Sequence, residues 1–90
     1  MKEIVRDGNA VFVDVRSPQE FNDDHIPSAL NIPLDQLMGR IDELEGFGGP
    51  IVLYCRSGNR SGMALHILQA EGMKNLYNGG GIDDVRYLLN

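Results

Sequence analysis

Two short apolar runs, AVFVDV (10–15) and PIVLYC (50–55), constrain the fold of this 90-residue chain more than anything else in it. Neither alternates apolar with polar residues, so neither fits a strand with one wet face. Continuous valine-rich runs of this length fit strands buried on both faces, as in a parallel sheet covered by helices. The segments between them agree. SPQEF offers Ser17 as an N-cap, Pro18 at the first helical position and Glu20 where a capping box needs it. That predicts a helix of about two turns ending near Asp23 or Asp24.

The remaining elements follow the same alternation. Residues 4–7 read as the end of a short helix closed by Gly8. HIPSALNIP (25–33) reads as a turn followed by a short strand at 30–32. LDQLMGRIDEL (34–44) has apolar residues at helical spacing, with Gly46 as its stop. SGMALHILQAEG predicts a helix closed by Gly72, KNLYN (74–78) a short strand, GGG a turn and IDDVRYLLN a last helix. Strands alternating with helices over short connections give an α/β fold on a mostly parallel sheet. A chain of this length buries only about 60–65% of its unfolded surface, which suits one small core.

Charge and hydropathy exclude several functions. A formal net charge of −5 leaves no basic footprint for nucleic acid or an anionic membrane. The longest apolar run, IVLYC, is far too short for a membrane span. Arg6 and Asp7 interrupt the N-terminus before a signal-peptide core develops, so the chain reads as cytoplasmic, or as periplasmic if a signal has been removed. The single Cys55 and two distant histidines, His25 and His66, do not make a metal site, and no cofactor is implied.

Against this acidic background CRSGNRSG (55–62) stands out. Cys55 ends an apolar strand and precedes a helix whose first N–H groups lack intrahelical partners. Those groups, the helix dipole and nearby Arg56 and Arg60 all favour a thiolate over a thiol. Gly58 permits a left-handed step that turns consecutive N–H groups into one concavity. A lone cysteine at a strand end is ordinarily a small buried hydrophobe. Arg56, Ser57, Gly58, Asn59, Arg60 and Ser61 immediately after it favour a reactive thiolate in an anion-binding cradle instead.

Three stretches, DVRSPQEFNDDHIPSALNIPL (14–34), VLYCRSGNRSGMA (52–64) and LYNGGGIDD (76–84), together resemble a single-domain rhodanese of the small bacterial type. The resemblance implies one rhodanese domain over residues 1–90, with a three-layer fold and a central sheet of about five short strands. Ser28 stands where the family usually has glycine, and Val85 where it commonly has tryptophan. The implied activity is sulfur transfer through a Cys55 persulfide. The donor is a small anion, thiosulfate or a persulfide, and the acceptor a thiol or protein cysteine. Arg60 would balance the donor or hold the loop, and Arg56 would attract the donor at the rim. The alternatives are a sulfur-relay module serving protein partners and a phosphatase- or arsenate-reductase-like enzyme. Four residues separate Cys55 from Arg60, one fewer than in the phosphatase loop, and the tighter loop suits a single sulfur better than a phosphoryl group.

Asp14 and Arg16 end the first strand and are supporting site candidates. Their simpler reading is a structural ion pair, with Glu20 a candidate third member. His25 reads as a turn-stabilising residue, His66 as an ordinary helix position, Met38 and Met63 as core, and Asp83 and Asp84 as first-turn carboxylates.

Overall fold

The computed structural model describes residues 1–90. Four parallel strands form one sheet in the order β2-β1-β3-β4: β1 (Val11–Asp14), β2 (Leu30–Asn31), β3 (Ile51–Cys55) and β4 (Leu76–Gly81). The sheet thus has four strands rather than about five. The helices are α1 (Lys2–Val5), α2 (Pro18–Asp23), α3 (Ile41–Glu45), α4 (Asn59–Ala70) and α5 (Ile82–Leu89).

The doubly buried strands are where the sequence places them. All five residues of β3 are buried, and their side chains divide between two cores by simple alternation. Leu53 and Cys55 join Val13, Val15, Leu44, Ala64 and Leu68 under α3 and α4. Val52 and Tyr54 join Val5, Phe12, Ile82 and Val85 under α1 and α5. Each fully covered Leu, Val or Ile contributes about 1.5–3 kcal/mol of transfer free energy. Val85, in the usual tryptophan position, is completely buried in the second core. No helix is long and apolar enough to cross a membrane.

Several local expectations are corrected. Residues 34–44 are not one α-helix: Leu34–Arg40 is a 3₁₀ segment that runs into α3. At three residues per turn, Leu34 and Leu37 share a face and Met38 turns away from it. Met38 is accordingly exposed, not core. Met63 is exposed too, because α4 buries the stripe Ser61, Ala64 and Leu68. The GGG segment is no turn but the end of β4, with Cys55 paired to Gly81. Ser28, at the usual glycine position, keeps the left-handed backbone at φ 73°.

The strand order positions the site. The turn after β1 leads towards β2 on one side of the sheet, and the turn after β3 leads towards β4 on the other. Between two such diverging turns, at the carboxyl ends of the strands, lies the crevice in which sheets of this kind bind ligands.

Candidate active site

Cys55 is the last residue of β3 and is fully buried. Its Sγ accepts the Gly58 N–H at 3.0 Å and the Ser61 N–H at 3.4 Å, with the Ser61 hydroxyl also 3.4 Å away. Gly58 is the N-cap of α4 with φ 97°, and no side chain caps that helix. A residue with a Cβ would be strained in this conformation. The left-handed step turns the loop N–H groups back on the sulfur, so the sulfur occupies the place of a capping oxygen.

Two opposed effects act on the thiol. Burial pushes its pKa up. The Ser61 hydroxyl and the N–H groups of Ser61, Ser57 and Gly58 pull it down, and they prevail, leaving the thiol more acidic than an ordinary cysteine. Neither of the arginines expected to share this task hydrogen-bonds the sulfur, although Arg60 interacts with its charge. Arg60 donates to both carboxylate oxygens of Glu20, at 2.7 and 3.0 Å. It lies on α4 rather than in the loop, because α4 starts at Asn59, two residues earlier than expected. Arg56 is exposed and borders a cavity of about 360 Å³ with Arg16, Asp24 and Arg86. Ser57 and Asn59 are exposed on the outer side of the loop, and Ser61 is buried beside the sulfur.

Asp14 and Arg16 form the expected ion pair: Arg16 donates to Asp14 Oδ2 at 2.7 Å, with both side chains almost wholly buried. Its third member is not Glu20. Arg16 instead donates to the Asp24 carbonyl at 2.5 Å, and Glu20 reaches across the crevice to Arg60. His25 packs its ring on Phe21 and hydrogen-bonds the Phe21 carbonyl at 2.8 Å, which holds the turn. His66 is exposed on α4.

Three contributors escaped sequence reasoning. Glu20 was visible as a capping-box residue and as a candidate partner of Arg16, but not as the partner of Arg60. Asn78 meets both Ser61 and the Gly58 carbonyl. Gly81 lets the loop approach β4: a Cβ there would lie 2.4 Å from the Arg56 carbonyl oxygen. The late glycines were legible as a group, but their task depends on a contact with a loop some 25 residues earlier.

Comparison with known proteins bears directly on this geometry. Residues 1–86 match the rhodanese-like domain. The chain belongs to the rhodanese-like family. Thiosulfate sulfurtransferase PspE of Escherichia coli is 33% identical over 82% of this rhodanese-like chain and 72% of its own length. The protein YqhL of Bacillus subtilis is 44% identical over 77% of this chain, which spans about half of YqhL (54%). A solved structure, "rhodanese with anions from E. coli", superposes with a TM-score of 0.76 at 33% identity, covering 83% of this chain and 89% of the other.

Proposed function

We propose that residues 1–90 act as one rhodanese domain that transfers a sulfane sulfur through a persulfide on Cys55. The observation that carries this reading is the sulfur's place at the open N-terminus of α4, within reach of the Gly58 and Ser61 N–H groups. Relatives that include a thiosulfate sulfurtransferase, and a similar rhodanese structure described with anions, support a small anionic donor.

The Cys55 thiolate attacks the outer sulfur of thiosulfate. A new S–S bond forms, the old one breaks, and sulfite leaves with its electron pair. The loop N–H groups then face the anionic persulfide, whose charge they are already oriented to receive. An acceptor thiol or protein cysteine, or cyanide in an assay, attacks the outer sulfur, and Cys55 leaves as the thiolate. This is two-step covalent catalysis. Arg56 supplies a free cation at the rim. Arg60, held by Glu20, braces the two turns.

Intact mass after incubation with thiosulfate tests the reading. The expected result is a gain of one sulfur atom, reversed by cyanide and absent from Cys55→Ser. An unmodified protein whose Cys55 still alkylates would overturn it. Sustained turnover of thiosulfate and cyanide marks an enzyme, and a single discharge to a protein thiol marks a relay.

A further inference from the structure

Asn78 lies on β4, outside the loop that bears Cys55, yet its carboxamide is joined to that loop at two points. Oδ1 accepts from the Ser61 hydroxyl at 2.7 Å, and Nδ2 donates to the Gly58 carbonyl at 3.3 Å. The same Oδ1 accepts the Gly80 N–H at 2.9 Å, a local turn that fixes the side chain. A bulge aims it. Pairing with β3 passes from Leu53 opposite Asn78 to Tyr54 opposite Gly80, so Gly79 is the extra residue and the strand bends at Asn78.

The Ser61 hydroxyl has one proton and more than one acceptor. Asn78 Oδ1 is at 2.7 Å, Cys55 Sγ at 3.4 Å and the Gly80 carbonyl at 3.5 Å. An uncharged sulfur is a weak acceptor and loses the proton to the carboxamide. A thiolate is a strong one, because a hydrogen bond to an ionised acceptor is roughly twice as strong as a neutral bond. We propose that Asn78 is a positioning residue for Cys55, its Oδ1 competing with the sulfur for the single Ser61 proton. The hydroxyl rests on Asn78 while the sulfur is a thiol or persulfide, and turns to the sulfur when it becomes a thiolate. In the acceptor step the S–S electron pair returns to Sγ, and the hydroxyl swings to meet the charge as it appears. Naming the persulfide state rests on the sulfur-transfer reading; the competition for the proton does not.

None of the charged groups around the sulfur is bonded to the Asn78 side chain, whose partners are Ser61, Gly58 and Gly80. Arg60 on α4 interacts with the Cys55 charge, and Glu20 of α2 is bound to Arg60. Asp14 and Arg16 at the end of β1 pair with each other, and Arg56 is exposed at the rim. The Gly58 carbonyl also keeps the Gly62 N–H at 3.0 Å without Asn78.

The test is the pH midpoint of Cys55 alkylation by iodoacetamide in the full chain, in Asn78→Ala, in Ser61→Ala and in the double variant. Removing the competitor frees the hydroxyl, so Asn78→Ala is expected to lower the midpoint by up to about one pH unit. Ser61→Ala is expected to raise it, and adding Asn78→Ala to that background to move it no further. A midpoint that rises or stays put in Asn78→Ala, or that shifts equally with and without Ser61, overturns the proposal. Should Asn78→Ala not fold, Asn78→Asp keeps the shape and grips the proton harder. It is expected to raise the midpoint more with Ser61 present than without, and an equal rise in both overturns the proposal. Alkylation needs no sulfur donor, so this result is independent of the thiosulfate mass measurement.

Discussion

Two strand-to-helix turns lie side by side at the same edge of the sheet, and they are finished in opposite ways. After β1, the chain satisfies its own helix start: Ser17 and Glu20 form a reciprocal capping box, and Pro18 has no N–H to satisfy. Asp14 and Arg16 seal the strand end beneath it. After β3, no side chain caps α4, Gly58 takes the left-handed step, and the N–H groups that a cap would absorb point at Cys55 Sγ. The same kind of orphan donor is closed by side chains in the first turn and faces a sulfur in the second. Glu20 links the two, closing one turn's cap while holding Arg60 of the other.

Substitutions sharpen that contrast. The largest effect on stability belongs to the first turn. Asp14→Asn leaves the Arg16 charge buried without its partner and is expected to cost about 3–5 kcal/mol in denaturant unfolding, while the refolded protein still gains sulfur from thiosulfate. Gly58→Ala does the reverse. Strain at φ 97° costs only about 1–2 kcal/mol, but the displaced N–H is expected to slow persulfide formation at least tenfold, read by stopped-time mass spectrometry. A Gly58→Ala protein with unchanged sulfur uptake would erase the distinction between the turns. Ser17→Ala removes a cap and is expected to lower stability by about 1 kcal/mol, with sulfur-transfer rates unchanged.

The smallest effect concerns the link. Hydrogen bonds from Arg60 hold the Glu20 carboxyl down to about 2, from an ordinary value near 4.5. A lowered carboxylate pKa contributes stability above its unfolded value and loses it as pH falls towards the folded one. The stability gap between the natural chain and Glu20→Gln should therefore be present at pH 6 and close between about 4.5 and 2. Both side chains are about a third exposed, so solvent screening keeps the gap small. A gap that widens on acidification would break the assigned pairing.

The parallel sheet was legible because doubly buried strands lack alternation, and AVFVDV and PIVLYC show none. The first turn was nearly complete in the sequence, since caps and proline at a helix start are local chemistry. Spacing misled where two periods coincide. Leu34 and Leu37 share a face at either three or 3.6 residues per turn, and Met38 tells the two apart. In the second turn Cys55, Gly58 and the N–H groups that acidify the thiol were legible, but the part of the Ser61 hydroxyl was not. The N–H groups lower the thiol's pKa as expected and a hydroxyl joins them, whereas of the two arginines Arg60 is committed to Glu20 across the crevice and Arg56 is exposed. Asn78 was illegible for the same reason: its part depends on a bulge and on a loop from another strand.

Cys55 is buried, so the absolute rate of its modification mixes access with acidity. The midpoint of its pH profile does not. Alkylation of the natural chain by a small reagent across pH is expected to give a midpoint below the ordinary thiol value of about 8.5. A midpoint above that value would mean that burial outweighs the N–H groups, and that the uncapped turn is not a thiolate cradle.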